Sequence, residues 1–135
     1  MKKIEDLIEK NRKFYEINST NPFNGKVIGN AESSFKNGLP DGNWKEFSDN
    51  GTILSESNYD EGIINGEFLN FFSNGNLKEI GYLKNGELEG QLQKYYNKGK
   101  LKLQQNFKND KEEGDGFSFY ESGQIKEKKN IKMVN

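Results

Sequence analysis

Hydrophobic and glycine positions recur along this chain at a fixed step of 24 residues. Phe47, Phe71, Tyr95 and Phe119 form an aromatic column, and Ile53, Leu77, Leu101 and Ile125 an aliphatic one. Phe35, Tyr59, Leu83 and Phe107 form a third. Glycine fills two columns completely, at Gly51, Gly75, Gly99 and Gly123 and at Gly42, Gly66, Gly90 and Gly114. A sixth column holds Gly38, Gly62 and Gly86, with Asp110 in its fourth slot. A fixed period of this length marks a stacked array in which each unit is one supersecondary motif.

The local pattern identifies the motif. Ser48-Asp49-Asn50-Gly51 and its three equivalents end in glycine between an aromatic and an aliphatic column. Three turn residues closing on glycine suit a type I turn followed by a left-handed residue, which glycine adopts without a Cβ penalty. That turn sets residue 47 opposite 53, 71 opposite 77, 95 opposite 101 and 119 opposite 125. The two other glycine columns bound a second, longer connection between units. Strict alternation then divides the sheet faces. The four cross-strand pairs, with Tyr59, Leu83, Phe107 and Ile131, form the expected principal buried face. The other face carries Trp44, Phe68 and Leu92, then Phe72, Tyr96 and Tyr120, among Glu46, Asn70, Lys78, Lys94, Lys102 and Lys126.

The ends differ from the middle, as repeat arrays require. Ile4, Leu7 and Ile8 fall on one helical face, so the spacing predicts a helix over residues 2 to 11, capping one end. Lys13-Phe14-Tyr15-Glu16-Ile17 reads as a strand, and residues 22–34 as an irregular first unit. The basic stretch from Lys126 to Lys132 would deter edge-to-edge pairing. The expected fold class is all-β: an elongated single-sheet array of tandem antiparallel β-hairpins with a short N-terminal helix. One domain spans residues 1–135, with helix and capping strand over 1–21 and repeats over 35–58, 59–82, 83–106 and 107–130.

Composition narrows the function. Hydrophobic residues are only 31% of the chain and charged ones 30%, yet aromatics reach 13%. Rings and glycines in that balance favour turns and a sparse sheet core over disorder. With a net charge of −1, there is no basic excess to release counterions from nucleic acid. Histidine and cysteine are absent, which removes the commonest general base and zinc ligands. Glu112, Glu113 and Asp115 sit in a segment expected to be an exposed loop, where a solvated charge run is the plain reading. The same loop lacks the ligand spacing of a calcium-binding EF-hand. No cofactor is implied. Acidic residues interrupt the only signal-like start, so the chain reads as cytoplasmic, or exported if a signal had been removed.

The stretch Gly42-Asn43-Trp44-Lys45-Glu46-Phe47, followed by Gly51-Thr52-Ile53, resembles the bacterial MORN repeat variant. Pro22-Phe23-Asn24-Gly25-Lys26-Val27 resembles the opening of such proteins, and the resemblance covers about residues 22 to 130. It implies stacked hairpins and a non-enzymatic role, and it is similar to the YwqK-like group of antitoxins. The fourth unit departs from the pattern, with Gly116 in the Trp44 slot and Asp110 in the Gly38 slot. The expected function is a protein-binding module, concretely an antitoxin or immunity protein that occludes a partner toxin. Its binding anchors would be Trp44, Phe68, Phe72, Tyr96 and Tyr120, with no catalytic or metal-binding residues. The alternative is a scaffold or surface-associated repeat touching membrane, glycan or host protein. Oligomeric state is open.

Overall fold

A computed structural model describes residues 2–132. Met1 and residues 133–135, the assigned ends of the domain, lie outside the described residues. Among the described residues the array is one 14-stranded sheet, almost entirely antiparallel and in chain order from Gly25–Ile28 to Ile125–Ile131. Each unit is a hairpin: Gly42–Phe47 with Ile53–Asp60, Gly66–Phe71 with Leu77–Lys84, Gly90–Tyr95 with Leu101–Lys108, and Lys111–Phe119 with Ile125–Ile131.

The three-residue turns form as expected. The amides of Ser48, Phe72, Tyr96 and Tyr120 donate to the carbonyls of Thr52, Asn76, Lys100 and Gln124 at 2.8–2.9 Å. Gly51, Gly75, Gly99 and Gly123 take φ of 88° to 99°. Phe47 lies opposite Ile53, Phe71 opposite Leu77, Tyr95 opposite Leu101 and Phe119 opposite Ile125.

The second connection is tighter than the sequence suggests. Asn37-Gly38, Glu61-Gly62, Asn85-Gly86 and Asn109-Asp110 are two-residue turns with both φ positive, the geometry that matches strand twist. Short strands follow immediately, as in Leu39–Pro40 and Ile63–Ile64. Asp110 holds φ 69° in the glycine slot, and its carboxylate accepts from the Leu88 amide at 2.8 Å, so the fourth turn keeps the geometry of the others. These turns are clipped to their neighbours. The amides of Gly38, Gly62, Gly86 and Asp110 donate to the carbonyls of Phe23, Pro40, Ile64 and Leu88 at 2.7–3.0 Å. Beside them, Asn24, Asp41, Asn65 and Glu89 side chains accept from the amides of Asn37, Glu61, Asn85 and Asn109.

The N-terminal helix does not form. Lys2–Lys3 pairs in parallel with the strand Gly25–Ile28, Ile4–Asp6 makes a single 3-10 turn, and Leu7–Lys10 forms a second, two-stranded sheet with Lys13–Glu16. The i, i+3 spacing of Ile4 and Leu7 serves that short turn instead. Asn11 and Arg12 both take positive φ, closing a hairpin that no glycine announces. Burial decides the outcome: Leu7 joins Phe23, Val27 and Phe35 in the core cluster, with Ile4, Phe14 and Trp44 against it. Phe35 is the hub, with ring centroids 5.1 Å from Phe14, 5.7 Å from Phe23 and 5.7 Å from Trp44.

The buried face also differs from expectation. Between Glu46, which pairs with Ser55, and Phe47, which pairs with Ile53, the second strand carries one extra residue, Leu54. Lys78, Lys102 and Lys126 are the extra residues of the later hairpins. A bulge of this kind breaks alternation. Tyr59 therefore shares the face of Trp44, at 5.6 Å between ring centroids, and not that of Ile53. Register extends the same face through Ser33, Trp44, Ser57, Phe68, Gly81, Leu92, Gln105 and Gly116. Ser33, Gly81, Leu92, Gln105 and Gly116 in that row are buried, whereas Ile125 of the paired columns is 58% exposed. The columns expected to be the principal buried face are half-buried or exposed.

Candidate binding face

The buried row is built by pairing large with small. A side chain at Gly81 would meet Phe68 at 2.7 Å and Leu92 at 2.9 Å, so the glycine leaves room for both. At the fourth unit the order reverses. Gln105, only 2% exposed, lies over Gly116, and any Cβ there would overlap its amide. Gln105 Nε2 donates to the carbonyls of Asn106 and Glu113, at 3.0 and 3.4 Å, while its Oε1 has no hydrogen-bond partner among the described residues. Gly116 is thus matched to its neighbour, although it breaks the column that Trp44, Phe68 and Leu92 define.

Beside that row runs a polar one. Asn70 donates to Glu79 at 2.9 Å, and Lys94 Nζ lies 3.7 Å from the same carboxylate. Trp44 Nε1 donates to Glu46 at 3.2 Å, which orients the indole. The polar row borders a concavity of about 520 Å³ lined by Leu54, Phe72, Lys78, Glu79, Lys94 and Lys102, among others.

At the margin formed by the three-residue turns, a third row appears. Lys78 stands 5.7 Å from the centroid of the Phe72 ring, Lys102 5.5 Å from Tyr96 and Lys126 5.9 Å from Tyr120. Each lysine is the bulge residue of its hairpin. The irregularity that upsets alternation therefore aims an ammonium group at the ring across the turn. Ser48 and Leu54 occupy these slots in the first hairpin, so the row begins with the second. Neighbouring turns touch: Asn74 donates to the Asn97 carbonyl at 3.3 Å, and Tyr96 Oη to the Phe119 carbonyl at 2.6 Å.

The five sequence-picked anchors fall into two of these rows. Trp44 and Phe68 are half-buried in the central row, with Trp44 held among Phe35 and Tyr59. Phe72, Tyr96 and Tyr120 form the marginal row, where Tyr120 is 50% exposed. Sequence reading missed the ring–lysine pairing, although the six-residue spacing from ring to lysine recurs three times. The acidic segment proves to be strand, within Lys111–Phe119, and not a loop. Glu112 binds Lys129 at 2.8 Å, and that bond holds the ammonium above the usual lysine value. Asp115 accepts from Asn130 at 2.6 Å. On the opposite face Phe117 and Phe119 stack at 6.4 Å, with Lys128 over Phe117 at 5.7 Å. No grouping of acidic, cysteine or histidine side chains able to hold a metal ion occurs among the described residues. No helix among them is long and apolar enough to cross a membrane.

Hairpins stacked at a constant period, clipped along one margin and carrying rows of rings on one face, define a tandem β-hairpin repeat protein. The MORN repeat variant family matches residues 40–61, 64–85, 88–109 and 112–133, and the chain belongs to that family. Each match holds one three-residue turn between two strands, and the first three end on the first residue of a two-residue turn, at Glu61, Asn85 and Asn109. No curated protein matches the chain.

Proposed function

We propose that the chain is a non-enzymatic module that binds a protein partner across the face carrying Trp44, Phe68, Phe72, Tyr96 and Tyr120. The observation that carries this reading is the repetition of ring, lysine and polar side chains on one face in the second, third and fourth hairpins, continued across the sheet by register. Aromatic groups flanked by polar ones supply contact area at low entropic cost, and tightly packed rings are the usual anchors of a protein interface. In its specific form the module is an antitoxin or immunity protein that occludes a toxin's working surface. That form is motivated by the resemblance of the repeat to the YwqK-like group of antitoxins.

Affinity capture from the native cell extract tests the reading, with the wild-type full chain compared against Tyr120→Ala. Tyr120 is half exposed and outside the core cluster, so its removal leaves the fold intact. A partner retained by the wild type and weakened by the variant is expected. Recovery of the same proteins by both, or of none, counts against this face. For the antitoxin form, co-expression should relieve growth arrest caused by the captured partner.

A further inference from the structure

We propose that the margin formed by Phe72/Lys78, Tyr96/Lys102 and Tyr120/Lys126 receives an extended acidic peptide segment whose carboxylates recur at every third residue. The inference rests on the protein-binding reading above and specifies the chemistry of what is bound. Lys78, Lys102 and Lys126 are exposed, and none forms an ion pair among the described residues. The nearby Glu79 is already engaged by Asn70 and Lys94. Three ammonium groups are thereby presented outward, each steadied by a ring and each fixed by a backbone bulge.

The spacing selects the ligand. Equivalent residues of adjacent units are two strands apart, or roughly 9.6 Å at ordinary strand separation. A chain in the extended polyproline II conformation rises about 3.1 Å per residue with three residues per turn, so its every third residue returns to the same face at roughly 9.3 Å. A peptide running across the strands would therefore place successive carboxylates on successive lysines. The intervening aliphatic or small residues would lie over Phe72, Tyr96 and Tyr120. A flat anionic bilayer fits less well, because Glu121 shares a concavity with Tyr96, Lys98 and Lys100, and Glu127 follows Lys126. A narrow peptide can follow the lysines and avoid these carboxylates.

The test is an amide chemical-shift titration of the full chain with two synthetic peptides of equal composition. One carries glutamate at every third position among serine, alanine and valine; the other has its glutamates adjacent. The spaced peptide should bind more tightly, with shifts concentrated at the three ring–lysine pairs and weakened by added salt. Each Lys→Gln substitution at residues 78, 102 or 126 should lower its affinity by about threefold, as suits exposed ion pairs. The triple variant, checked for an unchanged circular dichroism spectrum, should lose roughly thirtyfold. Equal binding of the two peptides, or full binding by the triple variant, would overturn the proposal. So would binding to phosphatidylserine vesicles with none to the spaced peptide. If the triple variant still captures the wild-type partner at full strength, the acidic-segment proposal fails while the protein-binding reading stands.

Discussion

Trp44 and Tyr59 meet at a tilt of 52° with their ring centroids 5.6 Å apart, on the two strands of one hairpin. Phe35 closes on the other side of the indole at 5.7 Å. The single tryptophan is thus screened by rings on two sides yet remains half-buried. Its fluorescence should be quenched by acrylamide, but less than that of free tryptophan. Tyr59→Ala should raise the quenching constant, and an unchanged constant would show that Tyr59 does not cover the indole.

That pair also marks where sequence reading succeeded and where it stopped. The four three-residue turns were legible because each ends in a glycine that must adopt positive φ. The cross-strand pairs followed from the turn. Leu54, Lys78, Lys102 and Lys126 carry no such mark: a bulge residue needs only one extra position, and any side chain can fill it. Counting in twos past them assigned Tyr59, Leu83, Phe107 and Ile131 to the wrong face. The anchors Phe72, Tyr96 and Tyr120 were visible as rings, but their lysine partners depend on the bulge. At the N-terminus, Ile4, Leu7 and Ile8 satisfy helical spacing over too short a span. The burial of Leu7 in one cluster with Phe23, Val27 and Phe35, all distant in sequence, outweighs that local preference.

Phe35 holds the N-terminal segment to the sheet through Phe14 and Phe23 as well as Trp44. It is 4% exposed. Phe35→Ala should cost about 3–5 kcal/mol in urea unfolding, the range for removing a buried ring. Hydrogen exchange should quicken first in the hairpin Leu7–Lys10 and Lys13–Glu16, since its side-chain link to the sheet runs through this cluster, beside the main-chain bond from the Phe14 amide to the Gly38 carbonyl. A uniform loss of protection along the whole array would contradict that division.

Gln105 and Gly116 should be energetically coupled. Gly116→Leu alone forces the Gln105 amide aside and should destabilise by about 1–3 kcal/mol, as overpacking does. Gln105→Gly alone leaves a hole beside Leu92. Together they recreate the large-then-small order of Phe68 and Gly81, and a double-mutant cycle should return a favourable interaction of about 0.5–3 kcal/mol. Strict additivity of the two effects would show that the side chains do not share one space.

The reversed pair also means that the units are not interchangeable parts. Excising residues 59–82 would remove Phe68 with Gly81 and bring Ser57 beside Leu92, so the bulky-and-slight sequence of the row would survive the splice. Excising residues 83–106 would remove Leu92 with Gln105 and set Gly81 against Gly116, two bare backbones with nothing between them. Two deletions of equal length, each in perfect register with the period, would leave one seam filled and the other hollow. The third and fourth hairpins can be shortened or copied only as a matched set.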